Sequence, residues 1–248
     1  MSGPAPAGLG GVRAVLFDID DTLVDFAASA AAGLVQLLGP DAAARDGLSD
    51  TWHTLTERHY PRFLAGEVPF TQMQIDRMVE LLTWAGLPVP DRDGLLALEE
   101  RRQQEMTRHY RLFDDVRPCL EALGDHRRGV VSNSDGPHQR AKLASVGLAD
   151  AFEVVVISGE VGHPKPDARI FREACRRLAL PPAAVAYVGD RLDVDAHGAA
   201  AAGLHGVWLD RGTRADAGAR PPAAVGPDAP PVTVITGLDE LPGLLAPA

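Results

Sequence analysis

Cysteine is nearly missing from this chain. Its 248 residues carry two, Cys119 and Cys175. They lie far apart and lack paired ligand spacing, so reduced structural thiols are expected rather than a disulfide framework or a zinc site. Long apolar runs are missing as well. None approaches the roughly 20 residues that a membrane helix needs, and residues 1–11 have neither the basic region nor the apolar core of a secretion signal. A cytoplasmic protein with no membrane partner is the expectation. Positive charge is in deficit, with 24 Lys and Arg against 34 Asp and Glu and a formal net charge of −10. That argues against a nucleic-acid surface, while a local positive pocket for an anionic ligand stays open. Lysine is the scarcest charged residue: Arg is used almost everywhere, and only Lys142 and Lys165 interrupt the pattern.

What is present is a hydrophobic content of 46%, enough to bury a substantial core, and one informative segment. Residues 14–17 read as a short buried strand whose end delivers Asp18 and Asp20. Residues i and i+2 of an extended chain point the same way, and strand ends in parallel α/β sheets are where ligands bind. Two carboxylates held side by side repel each other unless a cation lies between them, which makes Mg²⁺ their natural complement. One Asp can then attack phosphorus while the other handles protons.

Three later segments matter. Apolar residues 129–131 lead into Ser132 and Asn133, whose hydroxyl and nearby N–H groups can form an anion nest, with a plain helix-capping turn as the other use. Lys165 stands between Pro164 and Pro166, which restrict its backbone and help aim a compact ammonium in a chain otherwise supplied with guanidinium forks. Lys142, on an amphipathic helical pattern, reads as a solvated helix lysine. Apolar residues 185–188 run into Gly189, Asp190, Asp193 and Asp195 before an Ala-rich helix ending near Gly203. Mg²⁺ takes one or two protein carboxylates and keeps waters, so Asp190 is expected as a direct ligand. Asp195 would orient waters or Lys165, and Asp193 would cap the helix.

In order and spacing these four segments resemble the motifs of haloacid-dehalogenase-superfamily hydrolases of the phosphatase-like kind. The resemblance implies Asp18 as nucleophile and Asp20 as general acid/base. It implies Thr22, Ser132, Asn133 and Lys165 around the phosphate, and Mg²⁺ held by Asp18, Asp20 and Asp190 with Asp195 behind them. Asp21 stands where the family most often has Gly, and Arg191 where it often has a small polar residue, so local contacts there are in question. The implied fold is α/β, a Rossmann-like parallel sheet with helices on both faces and an all-helical cap inserted after the first motif. The implied activity is Mg²⁺-dependent hydrolysis of a small phosphorylated metabolite through an aspartyl phosphate, by a monomer or homodimer. A dehalogenase of the same fold is opposed by Asp20, because halide departure needs no proton. A phosphomutase and a catalytically silent binding module remain as alternatives.

Along the chain, residues 1–11 read as a flexible Pro/Gly/Ala tail, 12–24 and 114–248 as the core, and 25–113 as the cap. Further strands are expected at 154–157, 206–209 and 232–235, a Gly/Pro/Ala-rich loop at 211–231 and a short helix at 238–245. Within the cap, Thr71 is the expected N-cap of a 72–85 helix ended by Gly86 and Pro88, and a second helix is expected at 95–110. Trp52, His53, Arg58, His59, Tyr60 and Arg62 form a polar-aromatic patch. It could touch a leaving group, but a solvated or intracap role is the commoner use of long basic side chains, and the same holds for Arg77. His163 beside Lys165 reads equally as a tuner of the phosphate pocket and as a surface residue. No internal repeat is present.

Overall fold

Residues 14–17 and 185–189 are apolar on both faces of the pleat, and both segments are fully buried. Strands of that kind belong in the middle of a parallel sheet covered on both sides. In the computed structural model, which describes residues 9–40, 46–212 and 230–246, they are the two central strands. The sheet has six: β1 (Ala14–Phe17), β2 (Arg127–Ser132), β3 (Val154–Ile157), β4 (Val185–Gly189), β5 (His205–Leu209) and β6 (Thr233–Ile235). Their order is β3-β2-β1-β4-β5-β6 and all pairs are parallel. The chain therefore winds outward from β1 in one direction and then returns to β4 on the other side. Ligands bind beyond the carboxyl ends of strands at such a reversal. Registers of Phe17 with Val188 and with Val130 bring the ends of β1, β4 and β2 together.

Two compact units divide the described residues. The first holds the sheet, with residues 9–24, 112–212 and 230–246; the second holds residues 25–40 and 46–111. The chain leaves and re-enters the first unit at one place, where Val24 and Leu112 form an antiparallel bridge and the Phe113 N–H donates to the Leu23 carbonyl at 3.1 Å.

The second unit is all helical: α1 (Phe26–Leu38), α2 (Leu48–Leu64), α3 (Phe70–Ala85) and α4 (Arg92–His109). Asp25 caps α1 by accepting the Ala28 N–H, and Asp91 caps α4 by accepting that of Gly94. Thr71 does not cap α3, contrary to expectation. Pro69 is the last extended residue, with φ −61° and ψ 154°, and the helix is already formed at Phe70. The expected stop is found, with Gly86 at φ 69° donating to the Leu82 and Thr83 carbonyls. Leu34, Trp52, Leu55, Met78, Leu81 and Leu82 form its apolar centre.

In the first unit the helices are α5 (Val116–Ala122), α6 (Gly136–Ser145), α7 (Ser158–Val161), α8 (Ala168–Arg177), α9 (His197–Ala201) and α10 (Leu241–Leu245). Ile170, Phe171 and Ala174 of α8 pack on Leu16, Val131, Val156 and Tyr187 of the sheet. The Phe171 and Tyr187 rings meet edge to face at 5.0 Å. Truncating an aromatic anchor of this kind costs about 3–5 kcal/mol. The 238–245 helix is a 3₁₀ turn at Leu238–Glu240 followed by α10. Of the expected 1–11 tail, residues 1–8 lie outside the described residues, while Leu9 is buried and donates to the Leu244 carbonyl at 2.7 Å. Most of the 211–231 loop also lies outside them. Both cysteines are free and buried, and burial pushes Cys119 up to about 12 and Cys175 to about 11, which leaves them unreactive thiols. Among the described residues no helix is long and apolar enough to cross a membrane.

Candidate active site

Asp18 leaves the end of β1 with its N–H donated to the Val188 carbonyl at 2.9 Å, so the sheet ladder itself aims the residue. The next turn reverses the chain tightly. Asp21 adopts φ 56°, a left-handed conformation that Gly takes freely and that Asp and Asn tolerate better than other residues. The departure from Gly at this position is thus accommodated by the backbone.

The Asp18 carboxylate is buried and receives the Lys165 ammonium at 2.8 Å. That ammonium also donates to Asp195 Oδ1 at 2.7 Å and to the Tyr187 hydroxyl at 2.8 Å. All four residues are buried, and the Asp18 side chain keeps 10% exposure. Asp18, Asp190 and Asp195 each offer an oxygen within 4.8 Å of the others. Burial raises Asp18 above the usual carboxylate range, to about 6; Lys165 opposes this, and Asp195 and Asp20 add to it. Lys165 is raised by Asp18 and Asp195 despite its burial, so it stays charged. Burial first, and then Asp195 and Asp18, put Tyr187 well above the ordinary phenol value, so it is a neutral hydroxyl that donates to the Val131 carbonyl at 2.8 Å.

Asp190 and Asp195 come from the turn after β4. Asp195 Oδ2 accepts the Arg191 N–H at 3.0 Å and so closes a π-helical turn, Leu192–Ala196, that feeds α9. Asp195, not Asp193, is therefore the residue that fastens this turn; the Asp193 side chain is exposed and lies 3.7 Å from Arg191. Gly189 makes room for it: a Cβ there would sit 2.4 Å from Asp195 Oδ2. The Asp190 carbonyl accepts the Trp208 indole N–H at 3.0 Å, and the Asp190 N–H donates to Thr22 Oγ1 at 3.1 Å.

Several expected phosphate groups have other partners here. Thr22 is fully buried and its hydroxyl serves Asp190, joining the β1 and β4 loops. The Asn133 amide clasps the backbone of Lys165, donating to its carbonyl at 3.0 Å and accepting its N–H at 2.7 Å. Ser132 is buried, with its hydroxyl 2.9 Å from Gln139 Nε2. The Asp20 carboxylate stands outside the three-acid cluster: Oδ2 accepts Gln139 Nε2 at 2.9 Å and Oδ1 meets the Lys142 ammonium. Lys142 is therefore no solvated helix lysine. It is 2% exposed, and α6 carries it into the site.

His163 is half-buried. The basic patch of the helical unit is engaged within that unit. Arg58 and His59 both meet Glu80, and Arg62 meets Asp76 and Glu67. Arg77 is buried over the Trp52 ring at 4.0 Å, with the Arg102–Glu99 pair (2.8 Å) beside it. Sequence reading passed over Tyr187 and Gln139. A lone hydroxyl in the otherwise apolar run 185–188 was the available signal for the first; nothing marked the second.

Three clustered carboxylates, of which Asp18 and Asp195 share the one ammonium, leave this site with excess negative charge, a donor set suited to a hard divalent cation that prefers oxygen.

The model of haloacid dehalogenase-like hydrolases matches residues 12–203. The chain belongs to that family and is a hydrolase. It is 33% identical to the glyceraldehyde 3-phosphate phosphatase of Methanopyrus kandleri over 83% of this chain and 87% of that one. It is 39% identical to the phosphoserine phosphatase of Thermus thermophilus over 54% of this chain, spanning 59% of the relative's length. In structure it is similar to YfnB of Bacillus subtilis, solved bound to magnesium, with a TM-score of 0.75, 24% identity and coverage of 94% and 98%. That last likeness concerns the fold.

Proposed function

We propose that the protein is a Mg²⁺-dependent phosphatase of small phosphomonoesters that works through an aspartyl phosphate on Asp18. The observation that carries this is the buried Asp18 carboxylate, 2.8 Å from Lys165 Nζ and clustered with Asp190 and Asp195. Phosphoryl transfer needs positioning and charge stabilisation more than covalent machinery. An Asp18 oxygen bonds to phosphorus as the ester P–O bond breaks, and Asp20 gives its proton to the departing oxygen. Asp20 then takes a proton from water as the water oxygen bonds to phosphorus, and the bond to Asp18 breaks. Alcohol and phosphate leave, with Asp18 again a carboxylate and Asp20 again the protonated acid in which it entered the cycle.

Lys165 neutralises equatorial oxygens, held rigidly by Asp195 and Tyr187. Asp18 and Asp190 are the residues that would hold Mg²⁺, which supplies charge neutralisation at the phosphate. Ser132 is suited to hold a phosphate oxygen, and for Asn133 that part falls to its backbone N–H. The helical unit is the cap, and it carries substrate choice. Two relatives bear the names of phosphatases of small three-carbon esters, which supports a substrate of that size. A dehalogenase would have no use for Asp20.

The test is phosphate release from a panel of sugar phosphates, phosphoserine, phosphoglycolate and nucleotides, with Mg²⁺ and with chelator, ranked by kcat/KM. Release that needs Mg²⁺ is expected. Full turnover in metal-stripped protein, or isomerised sugar phosphate in place of free phosphate, would overturn the reading.

A further inference from the structure

Both lysines of this Arg-rich chain stand at the same site, and only one of them has a part in the reaction described above. Gln139 and Lys142 are three residues apart on α6 and so share a helical face. Both are buried, at 0% and 2% exposure, and both reach the Asp20 carboxylate, one at each oxygen. The NH₂ end of the amide faces Asp20, the end that a carboxylate can accept from once Asp20 has given up its proton. The same NH₂ reaches Ser132 Oγ at 2.9 Å, tying the clasp to the end of β2. Asp135 roots the helix by accepting the His138 N–H.

We propose that Gln139 and Lys142 are positioning residues that hold the Asp20 carboxylate in the orientation from which it exchanges protons with the leaving oxygen and with water. This rests on the phosphatase reading and assigns a task to a helix outside the motif residues. A buried ion pair adds little net stability, so fold maintenance alone is a weak reason for a buried ammonium here. Proton transfer, by contrast, requires the carboxyl oxygen within hydrogen-bond reach of its target. Asp20 sits beyond the end of β1, outside the six-stranded sheet, where its backbone makes only an isolated bridge with Val24. The two donors supply what the sheet does not.

The test uses the full chain with Mg²⁺ and two substrates, an aryl ester with a good leaving group (p-nitrophenyl phosphate) and an alkyl ester with a poor one (glycerol 2-phosphate). Lys142→Met and, separately, Gln139→Met keep side-chain volume and remove the donors. Each should lower kcat on the alkyl ester by about 100-fold, the scale of general acid catalysis, with far less effect on phosphorylation of Asp18 by the aryl ester and little change in KM. Phosphoenzyme should also build up after acid quench with the aryl ester, because the attacking water depends on the same carboxylate. Lys142→Arg should restore part of the alkyl-ester rate. Equal losses in the rate at which the two esters phosphorylate Asp18, or no loss in either variant, would overturn the positioning role while leaving the phosphatase reading intact. If Lys142→Met does not fold, Gln139→Met decides by the same comparison. A wild type with neither phosphate release nor phosphoenzyme would sink both.

Discussion

Lys165 Nζ lies 2.7 Å from Asp195 Oδ1, and both side chains are buried. Removing that ammonium leaves three clustered carboxylates with no cation among them. Lys165→Met should reduce kcat by at least about 100-fold and lower the melting temperature of metal-stripped protein. Added Mg²⁺ should raise the melting temperature of the variant more than that of the wild type, since it then supplies the missing charge. Equal Mg²⁺ shifts would show that the three acids do not act as one cluster.

Asp18→Asn should abolish turnover and any covalent adduct, because an amide is a poor nucleophile towards phosphorus. Asp20→Asn should differ. With an aryl phosphate whose leaving group scarcely needs a proton, Asp18 still becomes phosphorylated, but water loses its base and the adduct accumulates. Intact-protein mass spectrometry after acid quench reads the phosphate-sized increment. An active Asp18→Asn variant would be fatal to the nucleophile assignment.

The metal-free protein should also show a pH signature. With Asp18 raised to about 6 in the folded state, the native protein holds more protons than the unfolded chain between its ordinary value near 4 and about 6. Stability from this group is therefore present at low pH and lost as pH rises through that window. Asp18→Asn lacks the loss. Its stability advantage over wild type, by urea unfolding in chelator, should grow from pH 4 to about 6 and then level off, on the order of 1–3 kcal/mol. A pH-independent difference would mean that the carboxyl is not raised.

In the helical unit, Glu99 is the carboxylate paired with buried Arg102, with Arg77 close by and the two guanidiniums over Trp52. Glu99→Gln leaves two buried guanidiniums together, and breaking a buried pair in this way costs about 3–5 kcal/mol. Chemical denaturation should show it as a large destabilisation. By comparison, neutralising Arg58, which is exposed and meets Glu80, should change stability by less than about 1 kcal/mol.

Asp18, Asp20, Lys165 and Asp190 were legible in the sequence because each stands at the end of an apolar strand or between prolines, and residue type together with ordered spacing survives in one dimension. The parallel sheet was legible for the same reason: strands buried on both faces are written as unbroken apolar runs, as in residues 14–17 and 185–188. The helical composition of residues 25–111 was legible from periodicity, but Thr71 was mistaken for a cap because a proline two residues earlier fixes the start of α3 instead.

Partnership was decided only by tertiary structure. Thr22 and Asp190 are 168 residues apart, as Lys142 and Asp20 are 122 apart, and no local pattern records which helix face a sheet will bring against a given loop. Lys142 carries the same helical pattern in the sequence as a solvated lysine. Packing α6 beside the ends of β1 and β2 takes its ammonium out of water and gives it a carboxylate. The family resemblance implied Thr22 and Asn133 around the phosphate; what no sequence pattern records is that their side chains meet the Asp190 N–H and the Lys165 backbone, because buried polar atoms take the nearest partner that satisfies them. The sequence by itself determined which chemical groups reach the sheet's edge, and three-dimensional packing decided which of them hold one another in place.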